Sequence, residues 1–200
     1  MKLFQKALIV TLLSSSIWAC TETKKDPADT YFERGNYELA AQKYTESLKL
    51  KPTDVTLLYN RGRAFQELGE MNKARVDFES ALAYDPNNFQ ILLSLSAVQL
   101  EEKNFASALL YATKAEEISG APAMASFLKG RALHQLGLPE DALKAYGAAI
   151  QVDKDFAQAY YNRGLLKVAL NRNKQACEDF KLASVLEYSG ASEAFNKYCK

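Results

Sequence analysis

The stretch Val55–Asn88, VTLLYNRGRAFQELGEMNKARVDFESALAYDPNN, decides the fold. Leu58, Gly62 and Phe65 stand four and three residues apart ahead of Gly69-Glu70, and Ala74, Phe78 and Ala81 repeat that spacing behind it. Two amphipathic helices joined by a tight turn satisfy this pattern, because a stripe at 3.6-residue spacing can bury one helix face and Gly tolerates the left-handed backbone that stops a helix. Pro86 closes the unit, since proline cannot continue a helix. The unit then recurs in both directions at an interval of 34 with no insertion: Ala40, Ala74, Ala108, Ala142 and Ala176 share one phase.

Other phases carry the packing. Small residues return at Ala28, Gly62, Ser96, Gly130 and Gly164, and again at Ser47, Ala81, Ala115, Ala149 and Ala183. Rings return at Tyr44, Phe78, Tyr146 and Phe180, with Ala112 in the middle copy. Turn signals separate the two helices of each copy: Gly35-Asn36, Gly69-Glu70, Lys103-Asn104, Gly137-Leu138-Pro139 and Asn171-Arg172-Asn173. The small residues let paired helix axes approach and the rings fill the space between them. One helix pair cannot bury both of its faces, so the pairs must stack into a solenoid.

These phases resemble the tetratricopeptide repeat (TPR), with Leu58, Arg61-Gly62, Phe65, Ala74, Phe78, Ala81 and Pro86 at its signature positions. The resemblance implies an all-α, right-handed α-solenoid of about five helix-turn-helix repeats, at 21–54, 55–88, 89–122, 123–156 and 157–190, within a domain of residues 27–200. Pro27 shortens the first helix of the first copy to about Pro27–Arg34. The middle copy is the least typical, with Gln99, Lys103, Ala112 and Gly120 at signature positions. A cap over 191–200, helical over Ser192–Tyr198, is expected to cover the last copy with Ala191 and Phe195.

In this family the first helices line a concave groove. Carried over phase by phase, the groove is built of Tyr59, Asn60 and Arg63, then Leu93, Ser94 and Ala97, then Phe127 and Arg131, then Tyr161 and Asn162. Asn can donate to and accept from a peptide backbone, Arg can clamp a carboxylate, and rings supply contact area at low entropic cost. An extended protein or peptide partner suits that set. The bland alternative is that the rings pack on neighbouring helices and the groove binds nothing. The two-carboxylate clamp of some relatives is rejected, because its Lys, Asn and Arg phases hold Tyr59, Arg63, Ser94, Met124 and Leu128.

Residues 1–19 have the layout of a secretory signal: Lys2 and Lys6, a mostly apolar run from Ala7 to Ile17, then small Ala19. The run is shorter than the roughly 20 apolar residues of a spanning helix. Ile17-Trp18-Ala19-Cys20 resembles the lipobox of bacterial lipoproteins, which implies lipidation of Cys20 and a tether over 20–26. Ordinary cleavage and an uncleaved start are the alternatives. Loss of Lys2 and Lys6 would move the formal charge from +1 to −1.

Cys177 and Cys199 fall at matching levels on either side of a reversal near Tyr188–Gly190, which in an exported chain favours a disulfide over two free thiols or a metal role. With 25 Lys+Arg against 24 Asp+Glu there is no basic excess for nucleic acid. One His and three Cys leave little for a metal site or a thiol nucleophile, and no phosphate-cradling Gly loop is present, so no cofactor and no catalysis are expected. His134, Glu101-Glu102 and Glu116-Glu117 read as solvated surface. The expectation is a non-catalytic adaptor or assembly factor, lipid-anchored in a bacterial envelope at the outer membrane, facing the periplasm or the cell surface. A structural subunit working through its convex face or end is the first rival, and a small-molecule sensor or enzyme the second.

Overall fold

The computed structural model describes residues 26–199. The expected signal segment 1–19, Cys20 and all of the tether except Asp26 lie outside the described residues. Among the described residues the chain is helical with no strand. Five antiparallel pairs follow one another: α1 Pro27–Glu33 with α2 Tyr37–Leu50, α3 Val55–Glu67 with α4 Met71–Tyr84, α5 Phe89–Glu101 with α6 Phe105–Glu116, α7 Ala123–Gln135 with α8 Pro139–Val152, and α9 Ala157–Ala169 with α10 Asn173–Val185. A last helix, α11 Ala191–Tyr198, begins one residue before the helix expected over Ser192–Tyr198. The first helices from α3 onward, and α11, start at residues 55, 89, 123, 157 and 191.

The same turn closes the first helix of every pair. In the first pair Gly35 N–H bonds to the Phe32 carbonyl and Asn36 N–H to that of Tyr31. The pattern returns as Glu70 to Phe65, Asn104 to Gln99, Leu138 to Leu133 and Arg172 to Lys167. Such a turn places one residue at positive φ: Gly35, Gly69 and Gly137 take it at 73°. Lys103 at 61° and Asn171 at 60° take it with a side chain. Asn is tolerated there because its amide can satisfy nearby backbone, whereas Lys has no such compensation. At the amino end Asp26 caps α1, accepting from Ala28 N–H at 2.8 Å, and its other oxygen accepts from the Ser47 hydroxyl of α2 at 2.8 Å.

Within pairs the packing is governed by closeness. A Cβ at Gly62 would lie 2.7 Å from the Phe78 ring, at Gly130 2.6 Å from Tyr146, and at Gly164 2.7 Å from Phe180. The alanines of the 34-residue phase, Ala40 to Ala176, are fully buried. In the second and fifth pairs a bidentate ion pair adds to the contact. Arg61 donates through Nε and Nη2 to Asp77 at 2.8 and 2.7 Å, and Arg163 does the same to Asp179 at 2.9 and 2.7 Å. The middle pair has neither device. Leu95 and Tyr111 stand in the register of Arg61 and Asp77, and Ser96 faces α6 with its hydroxyl bonded to the Ala108 carbonyl at 2.9 Å. Its missing ring is offset by α5 being apolar nearly all round, with Ile91, Leu92, Leu95, Val98 and Leu100 buried.

Successive first helices approach one another, α3 with α5 and α5 with α7, and second helices show no approach of that closeness among the described residues. The first helices therefore lie on the inner, shorter side of the curve.

Two substitutions test this packing. Gly130→Ala drives a methyl into the Tyr146 ring and should destabilise by about 1–3 kcal/mol, read from urea unfolding. Lys103→Gly removes a left-handed lysine and should stabilise by about 1 kcal/mol, whereas an unchanged midpoint would show that the turn carries no strain.

Candidate functional site

At its amino-terminal end the inner surface is already internally paired. Tyr59 is half-buried with its ring 5.7 Å from Phe78. Asn60 Nδ2 donates to Asp29 Oδ1 at 3.2 Å, and the same oxygen accepts the Tyr44 hydroxyl at 2.5 Å. Burial, and then the bond to Asp29, raise the Tyr44 phenol well above its ordinary pKa, so it stays a donor. The Arg63 guanidinium lies 4.5 Å from the Phe32 ring centre and 5.9 Å from that of Tyr59. Asp29, Phe32, Tyr44, Asn60 and Arg63 line a cavity of about 400 Å³ together with Glu33.

The middle is smaller and less polar. Ser94 and Ala97 are partly exposed, and Leu93 is partly buried against the core. Arg131 has Glu101 at 3.7 Å, a long contact between side chains 38% and 57% exposed, so the pair is weak. Phe127 does not lie on the surface expected of it. It is 2% exposed, its ring 5.0 Å from Phe156 and 5.8 Å from Tyr146, because Phe156, ahead of α9, covers it where the equivalent positions after Tyr59 and Tyr161 hold Asn88 and Gly190. Burial also pushes the Tyr146 phenol up to about 12.

At the carboxy-terminal end Tyr161 stands 4.9 Å from the Tyr188 ring and 6.0 Å from Phe180. Asn162 Nδ2 donates to the Gln158 carbonyl of its own helix at 2.8 Å, so that amide is spent locally. Cys177 and Cys199 form a disulfide with their Cα atoms 5.6 Å apart, tying α11 to α10.

Several acidic residues read as solvated have partners. Glu116 accepts from Ser126 at 2.5 Å and from Lys129 at 2.6 Å, linking α6 to α7. Partial burial opposes its ionisation, but these two bonds outweigh burial and hold its carboxyl below the ordinary range. Glu102 meets Arg75 at 3.3 Å. His134 is exposed, and no group of three His, Cys, Asp or Glu among the described residues could hold a metal.

Asp29 and Phe32 were missed as groove residues. Asp29 stands 34 residues before Arg63, and Phe32 34 before Gln66, one turn beyond Arg63 on α3, so the repeat register extended into the shortened first copy reaches both.

Comparison with known proteins agrees with this architecture. A model of the TPR repeat matches residues 28–69 and 130–171, and one of the tetratricopeptide repeat matches residues 55–88, together just over half of the chain. The DnaJ homolog subfamily C member 7 homolog of Dictyostelium discoideum is 24% identical over 181 residues, covering 88% of this chain and 34% of that protein. The chain spans 37% or less of the length of the first of its curated relatives. Among solved structures, MamA from Desulfovibrio magneticus RS-1, residue 41 to its end, has a TM-score of 0.74 and 26% identity, covering 81% of this chain and 92% of that one. PilW, a type IV pilus biogenesis factor, has a TM-score of 0.75 with 86% of each chain covered; at 19% identity the likeness is one of fold.

Proposed function

We propose that this chain, which belongs to the tetratricopeptide-repeat family, is a non-catalytic adaptor or assembly factor of a bacterial cell envelope, held at a membrane by a lipid on Cys20 and binding an extended partner segment along its inner surface. Tetratricopeptide repeats are protein-interaction modules, and PilW, which shares the fold, is a biogenesis factor.

The observation that carries the reading is the uneven inner surface. Its ends are built of rings and internally paired polar groups, and between them lie the small, partly exposed Ser94 and Ala97, with Met124 37% exposed at the start of α7. Arg63 rests on rings in a cavity it shares with Asp29 and Glu33, and Arg131 faces Glu101, so each already has acidic groups nearby. The surface suits a neutral, largely apolar segment whose bulkiest side chain sits over Ser94 and Ala97. The leader and Ala19-Cys20 support the anchor, and no described helix is long and apolar enough to cross a membrane.

A photo-crosslinking residue at Ser94 in the native envelope should capture a partner that the same residue at Val76, 53% exposed on α4, does not. With that partner in hand, Ala97→Trp should weaken binding at least about ten-fold by calorimetry while helical content stays at wild type. Undiminished affinity would move the site off the inner surface. Metabolic labelling with a palmitate analogue should mark the wild type and not Cys20→Ala, and equal labelling would remove the anchor.

A further inference from the structure

Helix α11 is short and lightly buried. It has 8 residues, well under the roughly 12–15 at which an isolated helix holds in water. Only Ala191 and Ala194 are fully covered, with Phe195, Tyr198 and Cys199 half-covered. The link from α10 contains two residues at positive φ, Glu187 at 57° and Gly190 at 81°. The helix has two covalent ties, the chain at Gly190 and the disulfide at Cys199. Cutting the second leaves a short helix hinged at one end.

Part of what α11 covers, its contact with α9, belongs to the inner surface. It packs on Phe180 and Ala176 of α10 and on Tyr161, Leu165 and Val168 of α9. Tyr161 and Leu165 line a cavity of about 160 Å³ whose opposite wall is formed by Glu193, Lys197 and Tyr198 of α11. Gly190 itself lies against Tyr161, where a Cβ would meet the hydroxyl at 3.5 Å. The last helix is thus the end wall of the groove, and the bridge holds that wall in place. Cys177 and Cys199 both keep partial solvent exposure, so an attacking thiolate can reach the bond.

We propose that the Cys177–Cys199 bridge is a redox latch on the carboxy-terminal end of the groove: a dithiol reductant opens it, α11 swings about Gly190, and Tyr161, Leu165 and Phe180 are uncovered. One thiolate of the dithiol attacks a sulfur of the bridge, forming a mixed disulfide and releasing the other cysteine as a thiolate that takes up a proton. The second thiol of the reagent then displaces the remaining cysteine. Two electrons and two protons pass to the protein, and the reagent leaves as its own disulfide. Reoxidation reverses the exchange. That partner binding depends on the latch rests on the groove reading; the opening of α11 does not.

The test is amide hydrogen exchange by mass spectrometry on the full chain, oxidised and after treatment with dithiothreitol, with the double variant Cys177→Ser, Cys199→Ser as a permanently open form. Exchange over 190–199 should accelerate at least about ten-fold on reduction, while that over 27–152 stays unchanged. The fluorescence of anilinonaphthalene sulfonate, a probe of exposed apolar surface, should rise several-fold in step, and Leu165→Glu should suppress the rise. Equal exchange of α11 in both states would overturn the latch and leave the bridge a structural staple. Faster exchange throughout the solenoid would overturn it as well, because the bridge would then support the whole fold. Should the double variant fail to fold, dithiothreitol titration of the wild type gives the same readout. Neither arm uses a partner, so a failed groove leaves the latch standing and a failed latch leaves the groove standing.

Discussion

The structure depends on how closely a glycine in the first helix of a pair meets the ring in the second. At Gly62, Gly130 and Gly164 the facing ring leaves no room for a methyl group. That approach sets the separation and tilt of each pair, and the fixed interval of 34 residues repeats the setting along the chain. Close packing makes it intolerant, since a core at crystal-like density absorbs an added methyl only by moving a ring or a helix. The bidentate Arg61–Asp77 and Arg163–Asp179 pairs act at the neighbouring register and fix rotation as well as distance.

The middle pair departs from this rule, and the departure has a place in the architecture. With Ala112 in the ring position and Ser96 in the glycine position, α5 and α6 pack through aliphatic side chains instead. Two apolar cores meet at α5: one runs from Ala28 to Val98, and the other begins at Leu100 and reaches Ala191. In the same copy Ser94 and Ala97 stand where the preceding copy has Asn60 and Arg63, which leaves the inner surface small between aromatic ends.

Charge has a supporting role. The inner surface carries both signs, but its arginines are met by rings or by Glu101, and Asp29 by Tyr44 and Asn60. Opposite signs this close together, Asp29 and Glu33 with Arg63 and Glu101 with Arg131, lower the long-range field that would steer a charged ligand and favour apolar contact as the main source of affinity.

Periodicity by itself determined the all-helical class, the five pairs and the turn positions, since a stripe at helical spacing, a small residue and a turn residue each impose a local geometry wherever they occur. It also located Tyr59, Asn60, Arg63, Ser94, Ala97 and Tyr161 on the first helices. It could not say which of these face solvent. Phe127 occupies the same phase as Tyr59 and Tyr161 yet is buried, because Phe156 arrives from the next turn, a contact made by neighbours distant in register. Glu116 reads as a solvated acid in isolation and becomes an interhelical tie only once Lys129 and Ser126 stand opposite it. The level match of Cys177 and Cys199 was legible along the chain, whereas their 5.6 Å Cα separation and the placing of α11 against Tyr161 required the packed helices. Local propensity and spacing are properties of one helix, but burial and pairing belong to the contact between several, and only the tertiary structure brings those together.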